Sequence, residues 1–365
     1  MKILGIESSC DETAASVVED GRILHSNVIQ SQIDIHKEYG GVVPEIAARS
    51  HLEAINPVIK QALSEADCTW DDIDAIAVTY APGLFGSLLV GTLTARTLAL
   101  LHDKPLYPIH HVEAHVYANF ITEQKSDDLV LPSTQPIFPM LALIVSGGHS
   151  QLVLFRNHGD YELLGQTQDD AVGEAFDKVA KILGLPYPGG PSIAEAAKHG
   201  DPKKYQLPKA KLGSPFNFSF SGLKTAVLRA VQHEVGKDFK FPSHELSGLL
   251  TASQCNDFAA SFQYTAVKTL VDAAEAAFHV NNPASVVIAG GVAANQELRR
   301  QLSERLPLEI NYAPISLCTD NAAMIATLAY YQSQVVEPTD PHTLHAVPSL
   351  SMKHTAWASS VSSKS

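Results

Sequence analysis

Two stretches of this chain, residues 3–29 and 141–167, follow one plan at a constant offset of 138 residues. The first reads as a strand over 3–7, a tight Ser8-Ser9-Cys10-Asp11-Glu12 turn, a strand over 13–18, an Asp20-Gly21 turn and a strand over 22–29. The second repeats this as 141–145, a Ser146-Gly147-Gly148-His149 turn, 151–156, a His158-Gly159 turn and 161–167. Both are antiparallel meanders by their alternation and turn residues. The later parts correspond as well. Residues 74–80 run into a Pro82-Gly83 turn and a helix to Leu101, and residues 284–289 run into Gly290-Gly291 and a helix through Leu302. Each is a buried strand, a glycine turn and a helix. A chain built twice in this way predicts a duplicated α/β fold, two lobes around a central cleft. The expected division is 1–121 as the N-terminal lobe, completed by a helix at about 319–334, then a loop over 122–140, a C-terminal lobe over 141–318 and a flexible tail over 335–365.

Composition sets limits on function. With 365 residues, 45% hydrophobic and 18% charged, the chain can bury a large core. A net charge of -13 excludes a protein that coats nucleic acid nonspecifically, because backbone affinity comes from clustered Lys and Arg. The local basic run Lys198, Lys203, Lys204, Lys209 and Lys211, with Tyr205 inside it, is the candidate nucleic-acid contact, a solvated loop being the alternative. Four separated cysteines with no C-x-x-C pair fit reduced thiols. The sequence shows no uninterrupted apolar run long enough to span a bilayer and no signal peptide pattern, so a cytoplasmic protein away from the membrane is expected.

The segment His110-His111-Val112-Glu113-Ala114-His115 places His111 and His115 four residues apart at a helix start, where both rings point to one side and can share an ion. Glu113 falls off that face, so the order is H-x-E-x-H and not the H-E-x-x-H of metalloproteases. The duplication adds a third ligand: 30 residues past Ala81 is His111, and 30 past Gly290 is Asp320. Two imidazoles and a carboxylate facing them across the cleft suit iron or zinc, with positions left for water or substrate. Asp320 alone also reads as a helix N-cap.

The paired turns form a candidate phosphate-binding site, since small residues let a ligand approach backbone N–H groups. Ser8, Ser9, Asp11 and Glu12 line one turn, Asp11 and Glu12 being candidate catalytic carboxylates; Ser146, Gly147, Gly148 and His149 line the other. Gly290-Gly291 and Asn295 form a candidate adenosine contact, and Asp177 with Gly190 a candidate ribose contact. Asp169 and Asp170 read as a solvated acidic helix start.

These features resemble the actin, sugar kinase and Hsp70 superfamily (the ASKHA, RNase H-like fold), and within it the TsaD family of bacterial tRNA adenosine threonylcarbamoyltransferases. The resemblance rests on Gly5-Ile6-Glu7-Ser8-Ser9-Cys10-Asp11-Glu12-Thr13, Gly41-Val42-Val43-Pro44-Glu45, Pro82-Gly83-Leu84, the histidine segment, Val145 to His149, Asp170 to Lys178, Phe218-Ser219-Phe220-Ser221-Gly222-Leu223-Lys224, Gly290 to Asn295 and Cys318 to Asn321, and covers residues 1 to about 333. It implies transfer of a threonylcarbamoyl group from threonylcarbamoyl-AMP to the exocyclic amine of the adenosine just 3′ of the anticodon, in tRNAs reading codons that begin with A. It further implies His111, His115 and Asp320 as ligands of one iron or zinc ion, and Ile144, Val145, Ser146, Gly147, Gly148, Asp177, Gly190 and Asn295 as substrate-binding positions. The implied partners are tRNA, a TsaB-like protein of the same fold and a TsaE-like ATPase. An ATPase or sugar kinase is the rival reading from the fold, and a metalloprotease a weaker one.

Overall fold

The protein, described by a computed structural model over residues 1–126 and 129–352, contains two sheets with one connectivity plan. In chain order the first set of elements is β1 (Lys2–Glu7), β2 (Glu12–Glu19), β3 (Ile23–Ser31), α1 (Ile33–Lys37), α2 (Pro44–Glu65), β4 (Ala75–Ala81), α3 (Phe85–His102), β5 (Leu106–His110), α4 (His111–Tyr117) and β6 (Glu123–Gln124). The second set is β7 (Met140–Val145), β8 (Ser150–Asn157), β9 (Asp160–Gln166), α5 (Val172–Leu183), α6 (Gly189–Ala197), α7 (Ser221–Glu234), α8 (Ala252–Asn281), β10 (Ser285–Ala289), α9 (Gln296–Arg305), β11 (Ile310–Tyr312), α10 (Ile315–Cys318) and α11 (Ala322–Ser333).

The sheets order as β5-β4-β1-β2-β3-β6 and β11-β10-β7-β8-β9. Strand for strand, 5-4-1-2-3 becomes 11-10-7-8-9, so the duplication read from turn spacing is present in the topology. In the first sheet β1 pairs antiparallel with β2 and parallel with β4, β2 pairs antiparallel with β3, and β4 pairs parallel with β5.

By contacts the chain divides into two compact units. One comprises Met1–Met140, Phe155–Glu162 and the chain from Asn311 onward; the other comprises Leu141–Leu154 and Leu163–Ile310.

In the first unit β1 is buried along almost its whole length because helices cover both its faces. Leu4 and Ile6 point into a core completed by Ile55, Val58 and Ile59 of α2 and Val90 and Ala95 of α3. Gly5 points the other way, onto α11. A Cβ there would lie 2.3 Å from the Ala322 carbonyl oxygen, so only glycine admits this helix. Among the described residues, α3 is the one helix long and apolar enough to cross a membrane by length and composition; its Leu88, Val90, Ala95 and Ala99 are buried in the unit.

Two expectations need correction. The stretch 122–140 is not all loop, because Glu123 and Gln124 add a parallel edge strand to β3. Residues 335–352 do not form a flexible tail. Arg96 donates to the carbonyl oxygens of Pro341 at 2.5 Å, His342 at 3.2 Å and Leu344 at 3.2 Å, and Leu344 lies in the core beneath α2 and α3. The Thr339 N–H bonds the Leu106 carbonyl at 2.9 Å and the Val347 N–H the Tyr80 carbonyl at 2.8 Å. Apart from Leu344, the segment makes these contacts through main-chain groups, which every residue type carries, so side-chain composition hides them. The rest of that expected tail, 353–365, lies outside the described residues.

Candidate metal centre and substrate-binding turns

Strand β5 ends at His110 and α4 starts at His111, so both candidate histidine ligands lie on the first turns of a short helix that is buried throughout. His110 caps it, its Nδ1 accepting the Glu113 N–H at 3.4 Å. His111 Nε2 lies 3.6 Å, and His115 Nε2 3.4 Å, from Asp320 Oδ1. The ligand atoms of these three residues all fall within 4.8 Å of one another. Ligands at tetrahedral angles about 2.1 Å from a zinc-sized ion stand roughly 3.4 Å apart, so the spacing fits. The chemistry of the set fits too: His115 is 2% exposed and neither of its ring nitrogens has a hydrogen-bond partner, a costly arrangement unless something binds there. Asp320 belongs to the same compact unit as the histidines. The expectation that it faces them across the cleft is therefore corrected: it comes with the helix expected at about 319–334, in the same unit. The chain after β11 leaves the second sheet, and α11 packs on β1, so the residues just before that helix travel with the first unit.

Behind His111 stands Glu7, the last residue of β1, which has no exposed surface. Its carboxylate accepts the Ser9 N–H at 2.5 Å, the Thr79 hydroxyl at 2.5 Å and His111 Nδ1–H at 3.1 Å. Burial pushes this carboxyl up, but the His111 charge and hydrogen bond hold it below the usual range. Burial disfavours the His111 imidazolium, yet Asp320 and Glu7 carry its pKa up to about 9 in the metal-free protein. With Nδ1–H held by Glu7, the Nε2 atom faces Asp320, the tautomer a metal ligand needs.

The Ser8–Glu12 turn lies in the field of this cluster. Burial and the charges of Asp320 and Asp11 push the Glu12 carboxyl up to about 10, so it keeps its proton at neutral pH. Burial also pushes the Cys10 thiol up, which removes it as a nucleophile. His51 of α2 supports the turn, its Nε2–H donating to the Cys10 carbonyl at 3.0 Å and its Nδ1 accepting from Thr13 Oγ1 at 2.7 Å. Glu113, as expected, is outside the ligand set. It is buried, bonded to the Tyr161 hydroxyl at 3.1 Å, and desolvation raises its pKa to about 8.

In the second unit Ile144 and Val145 end β7 as buried residues, and Ser146 closes the following turn through its N–H to the His149 carbonyl at 2.8 Å. Gly290, at φ +89°, packs against this strand end: a Cβ would sit 2.5 Å from the Val145 carbonyl oxygen. The Gly173 N–H at the start of α5 bonds the Ser146 carbonyl at 3.3 Å. One turn along α5, Asp177 Oδ1 accepts the Gly189 N–H at 2.7 Å, which brings Gly190 beside it. Gly147, Gly148 and Gly190 have no neighbour within 4 Å of where a side chain would begin, leaving room for a ligand. Asn295 caps α9 through Oδ1 to the Leu298 N–H at 3.0 Å and holds Gln263 through Nδ2. Strand end, α5 and the Gly290 turn are thus joined by direct contacts.

Other readings change. Asp169 is exposed but does more than face solvent: it accepts from Ser219 Oγ, the Phe220 N–H and the Ser221 N–H at 2.6, 2.8 and 3.2 Å. Asp170 pairs with Lys178 and Lys224 at 3.0 and 3.1 Å. Of the basic run, Lys198 pairs with Glu195, Lys209 pairs with Asp272, and the Tyr205 ring lies flat on Phe258 at 3.7 Å. That ring face is therefore closed to a base. Sequence reasoning missed Glu7, His51 and the capping bond of His110; a carboxylate ending an otherwise apolar strand was the one signal for Glu7.

Fold and cluster together define a duplicated actin-like ATPase (ASKHA, RNase H-like) protein with a His-His-carboxylate centre in one of its units. Among solved structures, full-length HypF in the phosphate- and nucleotide-bound form shares the fold, with a TM-score of 0.55 and 14% identity over 93% of this chain and 47% of that one. The family model described as TsaD, tRNA N6-adenosine threonylcarbamoyltransferase, matches residues 23–327. Proteins of that name from Thermomicrobium roseum and Symbiobacterium thermophilum are 51% and 48% identical, over 92% and 96% of both chains. The chain belongs to the tRNA N6-adenosine threonylcarbamoyltransferase family and transfers a threonylcarbamoyl group to adenosine in tRNA.

Proposed function

We propose that the donor is threonylcarbamoyl-AMP, the acceptor the exocyclic amine of the adenosine just 3′ of the anticodon in tRNAs reading codons that begin with A, and that His111, His115 and Asp320 hold one iron or zinc ion. The observation that carries the metal reading is buried His115, with both ring nitrogens unpartnered and Asp320 at 3.4 Å. When bound, such an ion supplies Lewis acidity and a template for the activated carbonyl and its phosphate.

The chain's own residues do the rest. Glu7 fixes the His111 tautomer, as its 3.1 Å contact to Nδ1 supports. Ile144, Val145, Ser146, Gly147, Gly148, Asp177, Gly190 and Asn295 bind the nucleotide portion, supported by the open space beside Gly147, Gly148 and Gly190. As the amine nitrogen bonds to the carbonyl carbon, the carbon–oxygen bond to phosphate breaks and AMP leaves with that electron pair. Protonated Glu12 offers its O–H to the developing charge, and the Asp11 carboxylate takes the amine proton. No covalent enzyme intermediate is needed.

Exposed Lys203, Lys204 and Lys211 are the tRNA contacts of this reading, shared with a TsaB-like and a TsaE-like helper in the cytoplasm because a net charge of -13 leaves little basic surface. A reconstituted reaction with threonine, bicarbonate, ATP, helpers and tRNA, read by nucleoside mass spectrometry, tests it. His111→Ala is expected to lower bound metal and to reduce modified nucleoside by about two orders of magnitude. Unchanged metal content, or phosphorylated sugar formed while tRNA stays unmodified, would overturn it.

A further inference from the structure

The last described residues run beside the helix that carries the two histidine ligands. The Gly83 N–H bonds the Pro348 carbonyl at 3.1 Å, His110 Nε2 lies 3.0 Å from the Leu350 carbonyl oxygen, and the Tyr161 hydroxyl is 2.9 Å from the Met352 carbonyl. Met352 is 1% exposed and His110 3%, so this is packed interior. A carbonyl only accepts, so His110 Nε2 carries the proton and donates to Leu350. Its Nδ1 is then the lone-pair nitrogen that caps Glu113 N–H. One imidazole thus ties the first turn of α4 to the C-terminal segment. His111 follows it directly in the chain, and Tyr161 makes a second tie, bonding both Met352 and Glu113 of the same helix.

We propose that His110 is a positioning residue of the metal centre, acting through the Leu350 carbonyl, so that the C-terminal segment 347–352 sets where α4 places His111 and His115. The inference rests on the metal reading above. It requires nothing of His110 as a ligand: its two nitrogens are both engaged elsewhere. The segment's role is to hold the end of α4 against rotation, because a helix of seven residues has little rigidity of its own.

The test is cobalt(II) binding by the full chain, followed by visible absorption, with thermal unfolding in parallel. His110→Phe is expected to weaken cobalt affinity about tenfold and shift the d–d band, the scale of effect seen when outer partners of metal-bound histidines are removed. His110→Gln, whose amide nitrogen can stand near the Nε2 position and donate to Leu350, is expected to lose clearly less than His110→Phe. A chain ending at Pro348 keeps His110 but lacks its acceptor, and should reproduce the tenfold loss. In that shortened chain His110→Phe should cost clearly less than in the full chain, the remainder being the lost cap on Glu113 N–H, since both changes break the bond to Leu350. Wild-type affinity and spectrum in His110→Phe, or independent and additive losses, would overturn the inference alone. If His110→Phe does not fold, the chain ending at Pro348 decides by the same readout. If the unaltered protein takes up no cobalt, the metal reading falls and this inference with it.

Discussion

Glu7 has three hydrogen-bond donors and no exposed atom, and the charge it keeps under those conditions is what orients His111. Glu7→Gln keeps the shape but loses the charge and one acceptor, so metal affinity by isothermal titration is expected to fall about 10- to 100-fold with little change in fold. An unchanged affinity would mean that His111 is oriented by packing alone. Gly290 presents a different constraint. Its φ of +89° and ψ of 166° lie where side chains are excluded, and the Val145 carbonyl occupies the space a Cβ needs. Gly290→Ala should cost about 3 kcal/mol in denaturant unfolding, combining backbone strain with a displaced strand end. A loss under about 1 kcal/mol would show that β7 yields easily. His111 and His115 were legible because a helix repeats every 3.6 residues and the spacing of four is a property of sequence. Glu7 was not, since a partner brought in by strand pairing has no sequence spacing to reveal it.

At the level of elements, the two meanders and the strand-turn-helix pairs were legible because turns demand particular residues and buried strands demand apolar ones. After β11 the helix expected over about 319–334 lies in the first unit and carries Asp320 with it, not across a cleft from the histidines, because which sheet a helix packs on is decided by surfaces such as Gly5 and Ala322 meeting face to face. The acidic start of α5 was read incompletely for a related reason: Asp169 bonds the first residues of α7, 50 and more positions later. That tie has a consequence. Asp169→Ala removes the acceptor for two main-chain N–H groups at a helix start and should cost about 1 kcal/mol, with faster hydrogen exchange confined to the first turn of α7. Exchange unchanged there would assign those N–H groups to solvent.

For the whole molecule, acid sensitivity follows from histidines buried in neutral form. His158 accepts from the Tyr117 hydroxyl at 3.1 Å and stacks on Tyr331 at a centroid distance of 4.0 Å, and burial holds its pKa down to about 4. In the unfolded chain the ring titrates near 6.5. Between these values the unfolded state binds a proton that the folded state refuses, so stability is lost as pH falls through that window. His158→Phe keeps the stack and should flatten the dependence of unfolding midpoint on pH between about 6.5 and 4; an equally steep decline would place the sensitivity elsewhere.

The central claim joins the cluster to the transfer reaction, and metal removal tests it most directly. Chain stripped with a chelator and checked by elemental analysis should form no threonylcarbamoyladenosine in the reconstituted reaction, and should recover activity on addition of a single equivalent of iron(II) or zinc, but not when His115 is alanine. Full activity in protein shown to be metal-free would contradict the account.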